Sequence, residues 1–255
     1  MIPLKDNIPT RRFPVLTVAI IVICCVVYFG LQRGGFSGPS DQSTVKYAVI
    51  PYEVTHPGKH CGLVASGEVG CEGQAGVSGT PPKQPSTILT ILFAMFMHGG
   101  LLHLGGNMLF LWIFGNNIED AMGPFRFTLF YLLGGLVATL AQVVVDPGAT
   151  TPSLGASGAI AAVLGAYALL YPRARVTTLI FIIIFVTIIE LPALLVLGGW
   201  FMLQLLDASS QPLHGGGGVA YFAHIGGFLF GLLLIRLFAN NVHEDYHYSN
   251  RLPVY

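Results

Sequence analysis

The sequence predicts an all-α polytopic membrane protein, a bundle of six transmembrane helices with both termini in the cytoplasm. Three observations carry this. Of 255 residues, 53% are hydrophobic and only 9% charged, too few charges to cover a soluble domain of this size. The apolar residues gather in runs long enough to cross a hydrocarbon core of about 30 Å. The cations of the short connections fall on one side of the six runs. Lys+Arg and Asp+Glu both number 12, which with this composition excludes disordered, coiled-coil and nucleic-acid-binding classes. Thirty-two glycines suit close helix contact in lipid.

The first span is Val15–Leu31, preceded by Lys5, Arg11 and Arg12. It resembles a signal peptide, but no A-x-A-like site follows and it ends in Gln32-Arg33, so it is expected to be retained. A polar, Gly/Pro-containing loop at 33–85 holds Cys61 and Cys71, which can pair if the loop faces an oxidising compartment. Cys24 and Cys25 read as buried small hydrophobes. The charge-free stretch 84–118 would be about 52 Å long as one helix, so Gly99-Gly100 and Gly105-Gly106 divide it. A short membrane-associated helix at 86–98 and a second span at 101–119 are expected. Phe127–Val145 is the third span and Ser153–Tyr171 the fourth, stopped by Pro172. Glu190 and Pro192 divide the apolar run 176–206, leaving a fifth span at 190–206 behind a surface-hugging piece. Val219–Leu237 is the sixth. The chain thus divides into a cytoplasmic segment 1–14, a six-span domain 15–238 with an external loop 33–85, and a polar cytoplasmic tail 239–255.

Lys5, Arg11, Arg12, Arg126, Arg173, Arg175 and Arg236 lie on the predicted cytoplasmic side, whereas the connections 146–152 and 207–218 carry no Lys or Arg. Glu119, Asp120 and Arg126, around the Gly123-Pro124 turn, read as a solvated interfacial cap. Glu190 reads as a similar interfacial group.

Polar groups inside spans are costly and call for a function. His103 and Asn107, Ser157, and His224 open the second, fourth and sixth spans, all at a similar depth. Ser157 lies between Gly155-Ala156 and Gly158, where small neighbours permit a tight turn and an exposed hydroxyl, as in a nucleophile elbow. A desolvated, neutral His224 is suited to accept a serine proton. Gly227 and Gly231 form a G-x-x-x-G face that can meet the stripe Ser157, Ala161 and Gly165, bringing His224 against Ser157. His103 and Asn107, at i and i+4, share a helix face and offer donors to an oxyanion. His98 reads as a loop-anchoring residue.

His98, His103 and Asn107, then Gly155-Ala156-Ser157-Gly158, then His224 with Gly227 and Gly231, resemble the motifs of the rhomboid intramembrane serine proteases in order and spacing. The resemblance implies a six-helix core with a Ser–His dyad and no acidic third member. It makes Ser157 the nucleophile, His224 the general base, and His103, Asn107 and the Ser157 amide the oxyanion hole. It implies no cofactor and no metal. The implied substrates are single-span membrane proteins, cut within or beside their transmembrane helices in the lipid bilayer. A multi-pass location in a prokaryotic plasma membrane is expected. One departure stands out: some rhomboids carry a Tyr one turn after the nucleophile that supports the imidazole, and here the position is Ala161. The flexible run Gly215–Gly218 after His214 is a candidate hinge admitting substrate past the fifth span.

Three other readings compete. His243-Glu244-Asp245-Tyr246-His247 matches the H-E-x-x-H zinc-protease pattern, though it lies in the polar tail. His103 and His224 could ligate a haem, which leaves Ser157 and Asn107 unexplained. A non-catalytic, client-binding rhomboid-like protein would be expected to lack the serine or the histidine.

Overall fold

The computed structural model describes residues 1–36, 38–64, 67–74, 77, 84–182, 185–210 and 219–240. The H-E-x-x-H match at 243–247 and the stretch His214–Gly218 lie outside the described residues.

The chain is mostly helical. α1 (Val15–Val26) continues through a π-helical turn to Leu31. Two short helices follow, α2 (Asp41–Tyr47) and α3 (Pro51–Thr55), then α4 (Thr87–Ala94). α5 (Leu101–Phe110) runs through a second π turn, Leu111–Gly115, into α6 (Asn116–Met122). α7 (Pro124–Val145), α8 (Ser157–Leu170), α9 (Ala193–Ser210) and α10 (Tyr221–Phe238) complete the helices. By length and apolarity α7, α9 and α10 can each cross a membrane; Val15–Leu31 and Ser157–Leu170 are shorter apolar helices. On α10 the exposed Leu229, Leu233 and Leu237 recur every fourth residue. Such a stripe suits lipid rather than water. These features make the chain a helical membrane protein.

α8 lies at the centre, every residue from Gly158 to Ala168 being buried. Its small side chains let the neighbours approach to backbone contact. A Cβ on Gly227 would lie 2.1 Å from the Gly158 carbonyl oxygen, and one on Gly231 1.9 Å from that of Ala162. Gly165 reciprocates, 2.1 Å from the Phe228 oxygen. With 14 residues, α8 spans only about 21 Å. Its first residue, Ser157, therefore starts well inside the bundle.

The expectation of an all-α chain is corrected by two antiparallel sheets. β4 (Arg175–Ile182) and β5 (Phe185–Pro192) form a hairpin where a surface-hugging apolar piece was expected. The N-terminal strand β1 (Ile2–Asp6) pairs with β4, giving the order β1-β4-β5. Val, Ile, Thr and Phe dominate 176–189. These side chains favour a pleated ladder over a helix. The fifth long helix consequently begins at Ala193 rather than 190.

The loop after α1 is also structured. β2 (Cys61–Leu63) pairs with β3 (Val69–Cys71), and a disulfide joins the directly opposed Cys61 and Cys71. The loop docks beside the segment leading into α8: Val49 and Ser153 exchange backbone hydrogen bonds of 3.0 and 2.7 Å, and Thr55 Oγ1 donates to Pro147 O at 2.7 Å.

At the opposite end, the expected solvated cap is corrected for Glu119. It is buried, and its carboxylate accepts from Leu16 N (2.9 Å), Thr17 N (2.8 Å) and Thr17 Oγ1 (2.8 Å). Glu119 thus caps α1, whose first turn has free N–H groups and the positive end of the helix dipole. Asp120 Oδ2 accepts from Arg11 N at 3.0 Å. Arg126 Nη1 donates to Phe238 O at 3.2 Å and to Asn240 Oδ1, closing the carbonyl end of α10. Asp6 Oδ2 accepts from Asn117 Nδ2 (2.6 Å) and from the Tyr167 hydroxyl (2.5 Å). Burial pushes the Asp6 carboxyl up to about 6, against the lowering effect of the Tyr167 hydrogen bond. Glu190 stands 3.4 Å from Arg175 on the exposed hairpin, consistent with an interfacial group.

Candidate active site

Gly155 turns the chain into α8 with φ +137°, a conformation that side chains rarely adopt. A Cβ there would also sit 3.0 Å from His103 Cε1 and 3.3 Å from Ser157 Oγ. The Gly155 amide is tied to Ala94 O at 2.8 Å, which fixes the turn to the end of α4. Gly158 serves packing, since its Cβ would come within 2.6 Å of Ala138 Cβ on α7.

Ser157, the first residue of α8, presents its hydroxyl to α10. Its Oγ lies 2.8 Å from His224 Nε2. The backbone contacts at Gly227 and Gly231 set this distance, because they bring α10 as close to α8 as two helices can come.

The other imidazole nitrogen has a partner that sequence reasoning missed. His224 Nδ1 lies 2.7 Å from the amide oxygen Oε1 of Gln204 on α9. An amide oxygen only accepts, so Nδ1 carries the proton. Nε2 then has its lone pair toward the serine hydroxyl. Trp200, one turn earlier, packs its ring against the imidazole at a centroid distance of 5.7 Å. A signal for Gln204 was present: it is the polar group inside the apolar run 193–206. The rule that flagged His103 and His224 applies to it equally.

His103 Nδ1 accepts from the Gly99 backbone N–H at 3.1 Å. The proton of the neutral ring is therefore on Nε2, on the side facing Gly155 and Ser157. Asn107 is buried, and its Nδ2 finds no hydrogen-bond partner among the described residues. Both side chains line a cavity of about 510 Å³ that also contains Ser157 and His224. Leu102, Phe110, Ile160, Leu164 and Trp200 make the rest of its wall apolar. Four polar residues thus converge in an otherwise greasy pocket, the general pattern of a ligand or reaction site.

His98 is buried outside this cavity's lining. Its backbone holds the loop, its N–H donating to Gln32 Oε1 (2.8 Å) and its carbonyl accepting from Gln32 Nε2 (2.9 Å). Its ring stands edge-on to His103 at 5.3 Å, bracing that imidazole.

Residues 85–241 match a family model described as the Rhomboid domain. The chain is 34% identical over 152 residues to the presenilin-associated rhomboid-like protein, mitochondrial, of Bos taurus, covering 57% of this chain and 37% of that protein. It is 29% identical over 151 residues to rhomboid protein 1, mitochondrial, of Saccharomyces cerevisiae, covering 57% of this chain and 40% of that protein. Over 76 residues it is 42% identical to the rhomboid protease GluP of Bacillus subtilis, covering 30% of this chain and 14% of that protein. The chain therefore matches well under half the length of these relatives.

Proposed function

The chain belongs to the rhomboid family, and from that premise we propose that it is an intramembrane serine endopeptidase acting on single-span membrane proteins. The observation that carries the reading is the 2.8 Å contact between Ser157 Oγ and His224 Nε2 inside a cavity also lined by Asn107, whose Nδ2 has no hydrogen-bond partner among the described residues. His224 takes the hydroxyl proton as Ser157 Oγ attacks the scissile carbonyl. The resulting oxyanion is met by the Asn107 amide, His103 Nε2–H and the Ser157 backbone N–H. The imidazolium then gives its proton to the departing amine. Water, deprotonated by the same imidazole, hydrolyses the acyl-enzyme and restores the serine. His103 already carries its proton on the nitrogen turned to the cavity, so this donor needs no rearrangement.

The membrane arrangement proposed with it has six spans: 15–31, 101–122, 124–145, 157–170, 193–210 and 221–238. Residues 1–14 and the tail 239–255 lie on one side, the loop 33–85 on the other. The Cys61–Cys71 disulfide supports an oxidising compartment for that loop. For location, the mitochondrial relatives of cattle and yeast do not fit the expected prokaryotic plasma membrane, and the reading that the family supports is a multi-pass membrane protein.

The test is incubation of the purified protein with a panel of single-span membrane proteins, alongside Ser157→Ala. Cleavage by wild type alone, with fluorophosphonate labelling at Ser157 that drops in His224→Ala, is the expected result. Cleavage that survives Ser157→Ala but stops with EDTA would move the activity to His243, Glu244 and His247. Binding without cleavage would favour the client-binding reading.

A further inference from the structure

We propose that Gln204 is a positioning residue for the general base, holding His224 in the tautomer and orientation that serve Ser157. This rests on the protease reading and adds a third member from a helix that carries none of the expected motifs. Among the described residues the geometry leaves few other candidates for the task. On α8, one turn after Ser157, stands Ala161, which has no polar group. Among the described residues, the imidazole also meets Ser157 on its Nε2 side and the Trp200 ring. Nδ1 is satisfied by Gln204.

The physical requirement is specific. A neutral imidazole with its proton on Nε2 would donate to the serine and could not accept its proton. An acceptor at Nδ1 selects the other form, and only an acceptor does so. Gln204 Oε1 sits at 2.7 Å on a residue that is only 8% exposed. The amide also stabilises the imidazolium once the proton has moved, by keeping the dipole of its carbonyl on the charged ring. Because Trp200 and Gln204 share a face of α9 at i and i+4, the helix that walls the cavity also completes the base. A displacement of α9 that widens the cavity at Trp200 takes the acceptor away from His224.

The experiment uses the full chain in detergent and a small fluorophosphonate, whose reaction with Ser157 needs the base but no substrate helix. Gln204→Met keeps the length and apolar volume and removes the acceptor. Gln204→Glu keeps an acceptor. The expected result is a labelling rate about 10–100-fold lower in Gln204→Met, with activity restored in Gln204→Glu. With a cleaved single-span reporter, the loss in Gln204→Met should fall on kcat and leave KM nearly unchanged. A merely structural role predicts instead that the folded fraction of Gln204→Met labels at the wild-type rate, which would overturn the proposal. If Gln204→Met fails to fold, Gln204→Glu still decides: a folded Gln204→Glu that labels more than tenfold slower than wild type also overturns it. Wild type that neither labels nor cleaves defeats the protease reading itself, and is thereby told apart from failure of the Gln204 assignment.

Discussion

Gly227→Ala tests the idea that backbone contact between α8 and α10 sets the distance between Ser157 and His224. The added Cβ would lie 2.1 Å from Gly158 O and 3.1 Å from Gly158 C, where real Cβ atoms essentially never come within 3.0 Å. The two closest atoms in the way are backbone, so no side chain can swing aside to relieve the clash. α10 must retreat by about 1 Å, and a close-packed interior transmits the shift rather than absorbing it. Gly227 is less than one turn from His224, and Gly158 adjoins Ser157, so the retreat acts directly on the dyad. The present 2.8 Å contact would open to roughly 3.8 Å, beyond any hydrogen bond. A misplacement of about 1 Å commonly costs on the order of 10²-fold in rate. Overpacking should cost about 1–3 kcal/mol in stability besides. Fluorophosphonate labelling, reporter cleavage and thermal melting should be measured on one preparation. Gly199→Ala serves as control, since its Cβ would meet nothing within 4 Å, and it should behave as wild type. Folded Gly227→Ala that labels at the wild-type rate would refute the reasoning.

Three further outcomes follow from other parts of the molecule. Asn107→Ala should lower kcat on a single-span reporter by about 10–100-fold with little change in melting temperature, because its buried Nδ2 has no partner to lose among the described residues; early melting with normal kcat in the folded fraction would make Asn107 structural. Asp6 has its carboxyl raised from 3.8 to about 6, so the native state binds its proton more tightly than the unfolded chain. Stability from this group is present below pH 4 and is lost as pH rises to 6; Asp6→Asn should flatten the melting temperature between those pH values and exceed wild type at pH 7. Glu119→Ala strands three donors at the start of α1 and should cost on the order of 2 kcal/mol in a thermal or denaturant melt, while the labelling rate of the folded fraction stays unchanged.

The helices were legible in the sequence because a bilayer requires apolar length and internally satisfied backbone, both local properties. The motif residues were legible for a related reason. His103, Asn107, Ser157 and His224 are polar where polarity is expensive, and Gly155, Gly227 and Gly231 mark places where the backbone must turn or be approached. The partition of 175–192 was not legible. A continuous apolar run has no period that separates a buried helix from a strand, and β4 is completed by a partner, β1, some 170 residues distant. Glu119 looked like a surface charge because its sequence neighbours are polar and a turn follows. Only the fold brings the first turn of α1 onto its carboxylate. Gln204 illustrates the division most directly. The sequence by itself determined which residues are the candidate nucleophile and base and in what order. Which atom orients the base depends on how α9 rotates and crosses α10, and that angle is set by side-chain packing between segments rather than by any residue's immediate neighbours.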